Sequence, residues 1–253
     1  MAEKAIDPLH QFEIHQLLPV GLGTTDLSFT NSSLWMLIAI IGVTAFLTLS
    51  MRRRALVPGR WQSMAELSYE FIAGMIRDNA GQSGMRFFPI IFTLFMFILF
   101  GNLLGMVPYS FTFTSHIIIT FALAMCVFLG VTLLGLALHG LHFFSFFVPK
   151  GVPVFMLPLM VVIEVLSYLT RPVSLSVRLF ANMLAGHTLL KVFAGFTILM
   201  IGAFGPIFGG AMGLLPLALN IAFTGFEIMV AVLQAYVFTV LTCIYLNDAI
   251  HLH

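Results

Sequence analysis

The stretch Ser174-Leu-Ser-Val-Arg178-Leu-Phe-Ala-Asn182-Met-Leu-Ala-Gly186-His187-Thr-Leu-Leu-Lys191 sets an arginine in the middle of sequence that is otherwise suited to lipid. A guanidinium keeps its proton, because its pKa lies above about 12. At the centre of a spanning helix an arginine costs at least ~2.5 kcal/mol, so it needs an offsetting interaction or a function. Three readings stand for Arg178. It works in transport, it sits near a helix end and snorkels to the interface, or it pairs with a carboxylate elsewhere in the chain.

The rest of the chain fixes the class. Of 253 residues, 60% are hydrophobic and only 8% charged, whereas soluble domains carry about 25% charge. This is an all-α integral membrane protein, and its net charge of +1 argues against a nucleic-acid partner. Cys126 and Cys243 both lie in apolar runs and read as packing residues rather than a disulfide. No Cys/His spacing suggests a metal. Residues 1–29 lack the charged start and apolar core of a signal peptide.

Residues 1–33 are mixed and polar, punctuated by Pro8, Pro19, Gly21 and Gly23, and read as an outer surface segment. His10 and His15 there take no assignment. Residues 34–51 carry no charge and match one span. Arg52-Arg53-Arg54 and Arg60 follow, which places that end inside and the N-terminus outside. Residues 62–80 set Met64, Leu67, Phe71 and Met75 among Glu66, Glu70, Arg77 and Asp78, the pattern of an amphipathic helix on the inner membrane surface.

No Asp, Glu, Lys or Arg occurs between Phe87 and Pro149. Gly101, Gly105, Pro108 and Ser110 mark a turn within this run, giving spans at 87–106 and 116–138. Asn102, Thr112, Thr114 and His116 then lie towards the outer side. Isolated polar groups of this kind usually bond the backbone, and only Asn102 is kept as a channel candidate. His139 and His142 read as part of an interfacial loop, and Lys150 returns the chain to the inside. Two long apolar stretches follow, 154–200 and 207–247, joined by a turn containing Gly202, Gly205, Pro206, Gly209 and Gly210. The expectation is one polytopic domain of five transmembrane helices plus one surface helix, with the C-terminus inside.

Polar residues on the last two helices fall into stripes. At about 100° per residue, Ser174 and Asn182 lie within about 40° of Arg178, and Arg171 and Glu164 within a similar angle, while His187 falls on the opposite face. Asn220, Glu227 and Gln234 recur every seven residues on the last helix. His187 is about 13 Å along the axis from Arg178, towards the outside, and the returning helix brings Glu227 to a similar depth. An imidazole and a carboxylate in lipid are expensive unless hydrated or paired. They form either a proton relay or a buried structural pair. Because His187 and Arg178 face different ways, a proton path needs a carrier beyond this chain, such as a carboxylate on a moving partner. The chain has no arginine ladder and no GxxxxGK[ST] phosphate loop. It also lacks an internal repeat of the transporter kind.

The stretch from Ser174 through Arg178 and Asn182 to Gly186 resembles the signature of the subunit a family of rotary F-type ATP synthases. Asn102-Leu-Leu-Gly105-Met-Val-Pro108 and Gln234-Ala-Tyr-Val-Phe-Thr-Val-Leu resemble further family stretches, and the likeness runs from about residue 34 to 247. It implies a proton-conducting stator, not itself an enzyme and without a cofactor. Its partners would be a ring of hairpin c subunits with lipid-buried carboxylates and the b-type subunits of the peripheral stalk. The helices at 154–200 and 207–247 would be tilted against that ring. Arg178 matches the family's essential arginine. His187 and Glu227 match outer half-channel positions, Asn182 and Gln234 lie near the ring contact, and Glu164 matches the inner half-channel. Asn220, Ser174 and Asn102 are weaker candidates.

The chain departs from many bacterial relatives, which carry Glu in place of His187, His in place of Glu227 and an acid in place of Gly105. These differences resemble the alphaproteobacterial and mitochondrial branch. The resemblance therefore implies a bacterial inner membrane, with a periplasmic N-terminus and cytoplasmic C-terminus, or a mitochondrial inner membrane. His187 favours protons over sodium. Two other classes remain: a self-contained ion-coupled transporter or channel, which would move a solute alone, and a structural scaffold, in which replacing Arg178 would have mild effects.

Overall fold

The computed structural model describes residues 10–19, 21–22, 25–26, 28–52, 55–107, 110–148 and 155–251. Arg53, Arg54, Pro108, Pro149, Lys150 and Gly151, which entered the topology and turn expectations, lie outside the described residues, as do Pro8 and Gly23.

The described chain is mostly helical. Its N-terminal segment adds short strands that the sequence did not suggest. β1 (Gln16–Leu18) pairs antiparallel with β4 (Phe29–Thr30), and β2 (Gly21–Leu22) with β3 (Thr25–Asp26). α1 (Asn31–Ser50) begins three residues before its apolar run. The Thr30 hydroxyl accepts the Ser33 amide at 3.3 Å, capping the first turn. Asn31 accepts the His15 amide and donates to the Glu13 carbonyl, fastening strand to helix.

α2 (Arg60–Gly84) leads through a short 3-10 turn into α3 (Phe88–Gly105). α4 (Ile117–His139) continues as 3-10 helix over Gly140–Phe147. α5 (Leu157–Ile250) has 94 residues and departs from helical geometry only at Gly205, where φ is +76°. The expected turn spanned Gly202 to Gly210. One glycine suffices, because it enters the left-handed region without a Cβ penalty. Among the described residues, four helical stretches are long and apolar enough to cross a membrane: Asn31–Ser50, Arg60–Gly105, Ile117–Phe147 and Leu157–Ile250. The last exceeds two membrane thicknesses. The chain is a multi-pass membrane protein.

Residue contacts divide the chain into two compact units. The first holds Met1–Ile41, Ile98–His116 and Leu179–Gln234. Here α5 folds back on itself at Gly205. The two arms approach closely at Gly209, where a Cβ would run into the backbone of Met200 and Ile201. Further along, Phe193 and Phe223 stack with ring centroids 5.2 Å apart. Phe113, fully buried, lies over Gly101, which has no Cβ to obstruct the ring.

The second unit holds Gly42–Phe97, Ile117–Arg178 and Ala235–His253. α2 buries Ala65, Ile72, Ala73, Met75 and Ile76. Met64, Leu67 and Phe71, expected on the same apolar face as Met75, are exposed instead. Small and β-branched side chains, together with Met75, make the packed face. Gln62 is buried and bonds the Ala55 backbone at both its amide and carbonyl, holding the link from α1 to α2. Tyr168 sits under Phe128, Phe143, Phe146 and Phe147, its hydroxyl 2.6 Å from that of Thr132. His139 and His142, expected in an interfacial loop, lie instead at the end of α4 and in the 3-10 helix that continues it. His139 Nε2 lies 3.2 Å from the carbonyls of Ala249 and Ile250. Cys243 is buried, as packing requires, but Cys126 is exposed, and both are free thiols.

Candidate functional site

The first arm of α5, within the second unit, carries Glu164, Arg171, Ser174 and Arg178. Pro172 lies in this arm without breaking the helix. Leu175 and Ser176 face inward, while Ser174 and Arg178 are exposed among the exposed apolar residues Val162, Leu166, Leu169, Val173 and Val177. Arg178 forms no ion pair with any carboxylate among the described residues. Glu164 is half-buried.

Arg171 leaves the stripe on which helical spacing had put it. Its Nη1 donates to Asp248 Oδ2 at 2.9 Å, near the far end of α5. Its guanidinium carbon stands 4.8, 5.1 and 5.7 Å from the ring centroids of Tyr245, Tyr168 and Phe146. The planar guanidinium both pairs with a carboxylate and stacks on aromatic faces, so Arg171 is a tether. Asp248 was not among the expected functional residues.

The first unit holds a different arrangement. His187 and Glu227, from the two arms of α5, are both buried, and His187 Nδ1 lies 3.1 Å from Glu227 Oε1. The approach is within ion-pair distance but lacks the alignment of a hydrogen bond, and Glu227 Oε2 has no partner among the described residues. Gly186 makes the approach possible, since a Cβ there would lie 2.8 Å from Glu227 Oε1. The other imidazole nitrogen, Nε2, lies 3.0 Å from the hydroxyl of Thr112. Thr112 had been set aside as a residue that bonds only the backbone. It does bond the Gly105 carbonyl, but the fold also carries it to a histidine 75 positions away. The ring of Phe12 stands 6.5 Å from that of His187.

Asn102 is fully buried and donates to the Ala231 carbonyl at 3.1 Å, while its Oδ1 and the Thr114 hydroxyl are buried without partners among the described residues. Asn220 is half-buried with an unpartnered Oδ1, Gln234 is buried, and Asn182 is exposed. Buried polar atoms are nearly always satisfied. Unpaired oxygens on Glu227, Asn102, Thr114 and Asn220, all in this unit, mark it as a place for polar chemistry within an apolar protein.

The ATP synthase A chain family profile matches residues 33–247. Subunit a of the ATP synthase from Parvibaculum lavamentivorans is 59% identical over 248 residues, covering 97% of this chain and 94% of its own length. The subunits a of a Chelativorans species, 59% identical over 247 residues, and of Mesorhizobium japonicum, 57% identical over 251, cover 98% and 99% of this chain, and 98% and 99% of their own lengths. The match covers Arg178, His187, Glu227 and all but the last three residues of α5, and the chain belongs to the ATP synthase A chain family.

Proposed function

We propose that this chain is the proton-conducting stator of a rotary ATP synthase, with five spans, a surface helix over α2, an outer N-terminus and an inner C-terminus. The observation that carries the reading is Arg178, charged, exposed on an apolar helix face and without a carboxylate of its own among the described residues. A fixed charge in that position calls for a partner that brings the opposite charge. Carboxylates arriving on a ring of c subunits supply it. Each is attracted when ionised and leaves into lipid once protonated, and the arginine blocks a direct leak between two half-channels.

His187 and Glu227 serve the outer half-channel, with Asn102 and Asn220 as its polar lining. Glu164 serves the inner one. Asn182 and Gln234 lie near the ring contact. A proton crossing ~100 mV releases about 2.3 kcal/mol, so several protons are needed per nucleotide made. The b-type subunits hold the chain against the torque this produces. The chain binds no nucleotide itself.

The test is ATP-driven proton pumping in inverted membrane vesicles, wild type against Arg178→Ala, with assembly of the complex verified on the same membranes. Loss of pumping with the complex assembled supports the stator reading. Undiminished pumping overturns it, and a solute flux from the purified chain would then point to a transporter.

A further inference from the structure

We propose that Thr112 is a positioning residue that fixes the tautomer of His187, so that the bare nitrogen Nδ1 faces Glu227. The inference deepens the relay reading of His187 and Glu227 and rests on it. It begins at the C-terminal end of α3. Gly105 closes that helix, and its carbonyl is one of the last four, which have no partner within the helix. Two hydroxyls reach it, from Ser110 at 2.8 Å and Thr112 at 3.1 Å. Only glycine allows the second, since a Cβ at position 105 would lie 2.6 Å from Thr112 Oγ1. The backbone of Thr112 is held in turn by the following 3-10 turn, where its carbonyl accepts from the Ser115 hydroxyl at 2.6 Å and the Ser115 amide at 3.2 Å.

A threonine hydroxyl has one hydrogen to give and two lone pairs. With the hydrogen committed to Gly105, Thr112 offers a lone pair to His187 Nε2, 3.0 Å away. Nε2 must then carry the imidazole hydrogen. A histidine's tautomer is set by what its other nitrogen bonds, so Nδ1 is bare in the neutral ring. It stands 3.1 Å from Glu227 Oε1.

This arrangement gives the pair a single shared proton. Either it sits on the Glu227 carboxyl beside a neutral imidazole, or it has moved to Nδ1, leaving a carboxylate beside an imidazolium. In the transfer the O–H bond of Glu227 breaks and the N–H bond of His187 forms. The pair stays neutral overall in both forms, which keeps either form affordable in an apolar site. The opposite tautomer would place a hydrogen on Nδ1 and match it with an ionised Glu227. That leaves a net negative charge among buried residues.

The experiment combines nitrogen-15 NMR of histidine-labelled ATP synthase in lipid with proton pumping by the same preparations. His187 is assigned by difference from His187→Gln, and its ring is read at a pH where it is neutral. The expected result is a protonated Nε2 and bare Nδ1 in wild type. Thr112→Val should shift the ring towards the other tautomer and slow pumping by up to about a hundredfold, the lower end for a lost acid–base contribution. Thr112→Ser keeps the hydroxyl and should restore both the spectrum and the rate. A hydrogen on Nδ1 in neutral wild type, a ring doubly protonated at every pH the complex tolerates, or a spectrum unchanged in Thr112→Val overturns the proposal. Normal pumping by an assembled His187→Ala complex would instead remove the relay reading, while leaving the tautomer assignment standing.

Discussion

At the scale of the residue, the chain keeps few charges and gives each a distinct setting. Arg171 is tied to Asp248 and ringed by three aromatics, whereas Arg178 stands exposed without a carboxylate partner among the described residues. Two arginines seven positions apart therefore have different fates. Gly186 shows how a missing side chain can matter as much as a charged one. Gly186→Ala would put a methyl group within 2.8 Å of Glu227 Oε1. The carboxylate end is flexible, so it should swing away from His187 while the helices stay packed. The expected outcome is an assembled complex whose proton pumping falls by up to about a hundredfold, towards the rate of Glu227→Gln. Normal rates in both variants would show that the acid is not on the path.

At the scale of the element, α5 is a helix interrupted once, and its two ends and its middle are fixed by different devices. Gly205 provides the break, and Gly209 lets the second arm lie against Met200 and Ile201. Within the second unit, Arg171 on one arm and Asp248 on the other close on each other across 77 positions. Removing one member of a partly buried, hydrogen-bonded pair leaves the other charge uncompensated. Arg171→Ala should lower stability by about 2 kcal/mol, after discounting for partial exposure. A lower unfolding temperature of the purified chain in detergent would register it. Arg171→Lys should recover only part, because an ammonium cannot stack as a guanidinium does. Equal stability of all three proteins would mean that the rings, not the charges, hold the arms together.

At the scale of the whole molecule, the proposed stator has two faces with different chemistry, and the side on which a residue acts is measurable. Glu164→Gln should change how the synthesis rate responds to pH on the inner side of sealed vesicles and leave the response to outer pH unaltered. A shift in the outer response, or none at all, would remove Glu164 from the inner path. The class of the protein, its long apolar helices and the approach of His187 to Glu227 were legible in the order of residues. Uncharged runs of membrane length and 3.6-residue spacing are local properties that survive without any partner. Sequence spacing also placed Arg171 beside Arg178 and passed over Thr112, because it describes one helix at a time. Only the tertiary structure brought Asp248 to Arg171, Thr112 to His187 and the bare edge of Gly186 to Glu227. Each is a contact between residues at least 41 positions apart, set by how helices pack rather than by how any one of them is written.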